Sequence, residues 1–280
     1  MPMTCSTSIA PFVQRACTLP AMPEVAHKLL KSFEQDDLPL QEVAGLIGRD
    51  QALAAKVLRL ANSSRYSPSH TVTSLNDASA SLGMRTLRDL TLSASMVGAF
   101  PAMQGFDRLG FWRGTLAVAA YAQPIARALD LDEDMAYLGG LMLRTGQLLM
   151  WMVDPDHAEQ AGVLAKELDS RIGFETVLFG VAHPEITAEL ARHWQFPTVL
   201  VEAFRATTEP METRPFSRLA AVLRLASVVA DCRERGQSVT EGLLSAQGDL
   251  VVHLGLDLDW LEQHLPAHDL AVASVDALMH

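Results

Sequence analysis

Apolar positions recur along this chain at the three-and-four spacing of an α-helix almost from end to end, and nowhere in the alternation of a half-buried strand. Val25, Leu29, Leu30 and Phe33 share one face of a helix that Pro23 opens at its first position. Leu40, Val43, Ala44 and Ile47 mark a second helix after Pro39. A third carries Leu53, Val57, Leu58 and Ala61 and starts at Asp50, whose short carboxylate suits an N-cap. It runs into Asn62, Ser63 and Ser64, residues that bond nearby backbone and end helices. Ser74, with Asp77 three residues on, has the form of a capping box, and Gly83 supplies the stop for that short helix. Leu87, Leu90, Ala94 and Val97 mark a fifth.

Residues 101–110 combine one proline, two glycines and few strong helix formers, which makes them the expected boundary. Beyond them the periodicity predicts longer helices at about 111–129, 133–143, 148–153, 157–168, 174–181, 184–193, 197–206, 216–232 and 250–256. One or two more follow near the C-terminus, where residues 258–280 form either a packed helical tail or a contact between copies. The expected fold class is all-α, as two packed helical lobes, residues 1–105 and 106–280.

Composition narrows the functional classes. Apolar residues make up 49% and charged residues 20% of the 280, the balance of a globular chain with a sizeable core. A net charge of -11 repels phosphate backbones, so no nucleic-acid partner is expected. The densest basic stretch, Arg85 to Arg88, reads as a solvated helix face. Cys5, Cys17 and Cys232 have no CxxC spacing, which predicts neither a disulfide framework nor a thiolate zinc site and fits a reducing compartment. Residues 1–18 lack the pattern of a signal peptide. The longest apolar runs, Leu138–Val153 and Leu219–Ala230, are broken by Arg144, Gly146 and Arg224, so no membrane span is expected and a cytoplasmic location follows by elimination.

The chain has no glycine-rich phosphate loop and no GxSxG elbow. Of nine histidines, only His183 and His193 lie close together in a helical stretch, and a spacing of ten puts them on opposite faces. No metal or cofactor is expected from that pattern. The stretch Gly139 to Gly146 reads as a buried helix end whose Arg144 snorkels outward or pairs with a carboxylate.

Taken in order, these segments resemble the HDOD family of bacterial signalling domains, relatives of the HD-type metal phosphohydrolases. Leu19 to Ala26, with Pro20 and Pro23, looks like the family's start, and Asp50 to Ser64, with Asn62 and Ser63, matches its most recognisable motif. Val72 to Ala78, Leu82-Gly83, Arg85 to Leu92 and Phe111-Trp112-Arg113 continue it. His183, Glu185, Glu189, Leu190, Trp194 and Pro197 fit a later helix and turn, so the resemblance spans about residues 16–232 and makes the second lobe HD-like.

What the resemblance implies for chemistry lies in the departures. In catalytic relatives a histidine ligand stands where this chain has Gly114, the His-Asp dyad falls on Leu143-Arg144, and paired histidines fall near Thr207-Thr208. Only His183 remains. The resemblance therefore implies no catalytic residue, no metal and no cofactor. It implies a non-catalytic module in two-component or cyclic-di-GMP signalling, docking a diguanylate cyclase, sensor kinase or response regulator. An alternative is a sensor for a nucleotide or other anion in the degenerate cleft, with Arg144 and His183 as contacts and Gly146 leaving backbone open. A third reading is a residual metal-dependent phosphohydrolase using His157 or His183 with Asp154 or Asp156.

Overall fold

The computed structural model describes residues 9–19, 24–31, 40–63 and 71–279. Every regular element among them is a helix. In chain order these are α1 (Ala10–Ala16), α2 (Glu24–Lys31), α3 (Leu40–Ile47), α4 (Gln51–Ala61), α5 (Leu75–Ala99) and α6 (Arg108–Ala128). Then come α7 (Glu133–Leu143), α8 (Thr145–Val153), α9 (Pro155–Leu164), α10 (Arg171–Phe179), α11 (His183–His193) and α12 (Thr198–Thr207). The chain closes with α13 (Arg218–Glu234), α14 (Val239–Leu254), α15 (Leu258–His264), α16 (His268–Val272) and α17 (Val275–Met279). Cys5, Pro20, Pro23, Phe33, Pro39 and Ser64 lie outside the described residues, as do the side chains of Leu30 and Leu40.

Local chemistry sets the early helix ends. Asp50 Oδ1 accepts the Leu53 N–H at 3.0 Å and starts α4. At its far end Asn62 uses both faces of its amide. Its nitrogen donates to the carbonyls of Leu58 and Val72 at 2.8 Å each, while its oxygen accepts the Val72 N–H at 2.8 Å. The residue that ends α4 thus also ties down the strand of chain leading into α5. There Ser74 Oγ accepts the Asp77 N–H and Asp77 Oδ2 accepts the Thr73 N–H, a reciprocal cap. Gly83, at φ 76° and ψ 172°, breaks α5 into two helices at the expected place.

The helices α2, α3 and α4 gather on α5, whose second half also touches α7. The second part is built on α6, α7 and α13, with α8, α11, α12 and α14 around them. Residues 101–107 between α5 and α6 are non-helical, but besides the contact of α5 with α7, packing crosses that joint through α1 and through α17. Helix α1, which the periodicity did not predict, packs on α8 and α11. The last helix, α17, packs on α4, α5 and α6 with Val275 and Leu278 buried, so residues 258–279 are a packed tail.

Two expectations need correcting. Helix α14 begins at Val239 rather than near Leu250, with a break at Gln247 between its halves. The Arg85–Arg88 stretch is not simply solvated, because both arginines pair with the start of α7: Arg88 with Asp134, and Arg85 with Asp134 at 2.9 Å.

A Cβ at Gly83 would touch nothing within 4 Å, so substitution there costs backbone strain alone. Gly83→Ala is expected to lower the unfolding free energy by about 1–3 kcal/mol in urea denaturation, since this region of φ and ψ is essentially glycine-only. An unchanged midpoint would mean that the α5 break tolerates another backbone geometry.

Candidate functional site

Helices α6 and α7 meet at backbone distance. A Cβ on Gly140 would stand 2.6 Å from the Cα of Ala119, so no side chain fits there. On the other flank a Cβ on Gly139 would meet Leu223 of α13 at 2.9 Å. Wedged this way, α7 ends at a fixed point inside the second part, and Arg144 stands at that point, linking α7 to α8.

The Arg144 side chain turns back onto α6. A Cβ on Gly114 would overlap its Nη1, so the glycine makes the space that the guanidinium fills. Its Cζ lies 5.5 Å from the centre of the Phe111 ring. It makes no hydrogen bond or ion pair among the described residues. Burial pushes its pKa down; Asp231 pulls it back up, the like charge of Arg171 lowers it further, and Glu175 and Glu234 oppose that. The expectation of an outward snorkel or a carboxylate partner is therefore corrected. The gap at Gly114 draws the chain inward, and no carboxylate is in reach.

Arg144 separates two cavities. An inner one of about 50 Å³ is lined by Leu143, His183, Arg171, Arg224, Thr207 and Asp231, among others. An outer cleft of about 350 Å³ opens between Phe106, Phe111, Trp151, Gln147, Gly110 and Gly162. A larger depression of about 590 Å³ lies elsewhere, between the turn after α9 and α14. It is an open groove with Lys166, Glu167, Arg235 and Glu241 along it, and no buried unpaired charge marks it. The chemistry is concentrated around Arg144 instead.

His183 begins α11 and is buried. Its Nδ1 lies 2.6 Å from Glu175 Oε2, and its backbone N–H donates to the same oxygen at 2.9 Å. A carboxylate at that distance requires the proton on Nδ1, so the Gln147 amide nitrogen, 3.4 Å from the same atom, is a packing neighbour. The other carboxylate oxygen of Glu175 accepts from Arg171 Nε at 2.8 Å. Arg224 is matched in the same way: Nε donates to Asp169 at 2.9 Å and Nη1 to the Thr207 carbonyl at 3.2 Å. Burial pushes the Asp169 carboxyl up, opposed by Arg224 and by the Gln247 amide.

The structure thus brings Gly114, Leu143, Arg144, His183 and Thr207 to one place, though they are far apart in sequence. Gly146 does not serve as expected. Its N–H donates to Thr187 Oγ1 at 2.9 Å, and a Cβ there would run into the His183 carbonyl, so it is a contact point between α8 and α11 and offers no open backbone. His193 is exposed at the far end of α11, and His157 pairs with Asp154 at 2.6 Å on the surface, where Asp154 caps α9. Among the described residues no group of three or more His, Cys, Asp or Glu is placed to hold a metal ion. Trp112 and Trp194 are buried against Phe100, at 6.3 and 5.8 Å between ring centres, and Pro197 is buried at the start of α12. Ser63 Oγ is buried without a hydrogen bond among the described residues.

Sequence reasoning missed Glu175, Arg171, Arg224 and Asp169. The Arg171–Glu175 pair has the i,i+4 spacing of a helix surface, the one local signal available. Nothing local links Glu175 to His183 or Arg224 to Asp169.

Glu175 makes the site sensitive to acid. Burial pushes its pKa up, but His183 and Arg171 overcome that and hold it at about 2 instead of the ordinary 4.5. A folded value below the unfolded one means the stabilisation is fully present above about pH 4.5 and is lost as pH falls toward 2. The difference corresponds to about 3 kcal/mol. Denaturant titrations between pH 6 and 2.5 should show that fall in the native chain and a much flatter profile in Glu175→Gln, which lacks the titrating group. Parallel profiles would show that other carboxylates carry the acid response.

An uncharacterized protein of Treponema pallidum (strain Nichols) is 24% identical over 246 residues, 84% of this chain and 47% of its own length, so the chain spans about half of that relative. A crystal structure from Shewanella amazonensis SB2B, named as a candidate phosphohydrolase, superposes with a TM-score of 0.77 at 29% identity, covering 96% of this chain and 98% of the other. One from Marinobacter aquaeolei VT8, named as a candidate signal transduction protein, has the same fold at TM-score 0.74 and 23% identity, over 98% of this chain and 64% of the other. No helix among the described residues is long and apolar enough to cross a membrane. The model of the HDOD domain matches residues 19–210, and with these helices in this order the chain belongs to the HDOD domain family.

Proposed function

We propose that this chain is a non-catalytic regulatory module of bacterial signal transduction that acts through protein–protein interaction. The observation that carries this reading is the Gly114–Arg144 pair: a guanidinium fills the space on the His183 cavity, at positions that by the family resemblance would carry metal ligands in catalytic relatives. A divalent cation about 4 Å from an arginine would be repelled by roughly 8 kcal/mol at an effective dielectric near 20. Of the carboxylates near the cavity, Glu175 is held by His183 and Arg171 and Asp169 by Arg224, which leaves Asp231 and His183, one carboxylate and one imidazole. His183 with Arg144, Leu143 and Thr207 does not fit a metal pair, which needs several carboxylate and imidazole donors on each ion.

The partner that the family resemblance implies is a diguanylate cyclase, sensor kinase or response regulator in a two-component or cyclic-di-GMP pathway; the Marinobacter relative's name supports a signalling role alone. The module works in the cytoplasm without nucleic acid, in keeping with its acidic charge.

The purified chain, incubated with Mn²⁺, Mg²⁺ or Fe²⁺, should hydrolyse neither phosphomonoesters nor phosphodiesters above a protein-free control and should retain no stoichiometric metal after desalting. Turnover that disappears in His183→Ala would overturn the non-catalytic reading. Crosslinked capture from the host should in turn recover one signalling protein, and its loss on mutating the α5–α6 joint would place the contact there.

A further inference from the structure

Three arginines face the inner cavity, and their situations differ. Arg171 has Glu175 at 2.8 Å and Arg224 has Asp169 at 2.9 Å. Among the described residues Arg144 has no counter-ion within ion-pair distance, although it reaches both cavities. A half-buried guanidinium left unpaired carries a desolvation cost that a bound anion would offset. Among the described residues nothing supplies the missing oxygen atoms.

The outer cleft shows what shape would bring them. Phe106 forms one wall, 5.4 Å from Phe111 and 5.3 Å from Trp151 between ring centres, and Arg144 lies over the Phe111 ring. Gly105, Gly110 and Gly162 leave the edges without side chains, and Gln147 adds an amide. The volume of about 350 Å³ falls in the range of small-molecule sites. The surrounding charges limit the ligand further. Asp107, Glu159 and Arg171, the last paired with Glu175, stand on the cleft, and Asp231 faces Arg144 from the inner cavity. With one unpaired guanidinium among these carboxylates, the cleft tolerates a single negative charge and repels a polyanion.

We infer that the cleft at Arg144 binds a flat organic monoanion, an aromatic or heteroaromatic ring bearing one negatively charged oxygen group, held by the guanidinium and stacked among Phe106, Phe111 and Trp151. An aromatic carboxylate and a cyclic nucleotide phosphodiester both have this chemistry. The inference rests on the non-catalytic reading, since it makes the same cleft a receptor instead of a reaction centre.

The test is calorimetric titration of the full chain with benzoate, 3′,5′-cyclic AMP, acetate and inorganic phosphate. At least one ring-bearing anion should bind about tenfold or more tightly than acetate and phosphate. Which of the two binds separates a carboxylate from a nucleotide source. Arg144→Gln should weaken that binding about tenfold or more, the usual worth of a charge-assisted contact. Gly114→Ala leaves every charge in place but fills the space of Nη1, and it should weaken binding as well. Thermal unfolding of both variants shows that each is folded. The site is overturned if neither ring-bearing anion binds, if binding is unchanged in both variants, or if there is no preference over acetate and phosphate. The two readings fail separately. Hydrolysis of the bound cyclic nucleotide would end the non-catalytic reading and leave the site, whereas a blank titration ends the site and leaves that reading.

Discussion

The closeness of α6 and α7 is the constraint on which the rest of the second part depends. Because Gly140 lies against the Ala119 backbone and Gly139 against Leu223, α7 has no freedom to slide or roll. Its last residues must then emerge beside the first turns of α6, and Arg144 meets the gap that Gly114 leaves. Close packing of this kind is unforgiving: adding one methylene to a filled core costs about 1–3 kcal/mol. Two glycines on α7 and one on α6 thus decide where a charge sits.

Around that charge the protein keeps two electrostatic regimes side by side. Glu175, fully enclosed, is satisfied on both oxygens by His183 and Arg171, and Arg224 is satisfied by Asp169 and a backbone carbonyl. Such networks hold only when complete, because removing one partner strands a buried charge at a cost of about 3–5 kcal/mol. Arg144 sits beside them with none of this compensation. The closed network fixes the turn between α10 and α11 and with it the cavity wall, while the unmatched guanidinium gives the cavity its polarity.

The parts of the structure that local chemistry decides could be read from the sequence. Asp50, Ser74 with Asp77, and Gly83 end or start helices where their side chains or backbone freedom dictate. Asn62 was legible as a helix end, but its second role, holding Val72, depends on a partner ten residues away. The cleft was legible only as a set of departures. Arg144 gave no sign of turning inward, because its direction is set by a glycine thirty residues earlier, on another helix. Gly146 looked like open backbone, and only the crossing of α8 over α11 shows that it is filled by the His183 carbonyl. The first half of α14 escaped the periodicity because Gln247 breaks the helix and shifts its phase. Residues that meet across helices leave no spacing to find.

The C-terminal helices extend the unit of folding beyond the stretch that defines the family. The family match stops at residue 210, yet α13 is part of the floor under α6 and α7, and α17 reaches back to α4 and α5. A chain cut at the family boundary would lose buried Val222, Leu223, Leu225 and Val229 and bare the apolar surfaces they cover. The Shewanella relative superposes over 96% of this chain, so these helices belong to the shared architecture although the family match ends before them. Through α17 the tail closes over α4 and α5, so that the border of the motif and the border of the packed core fall at different residues.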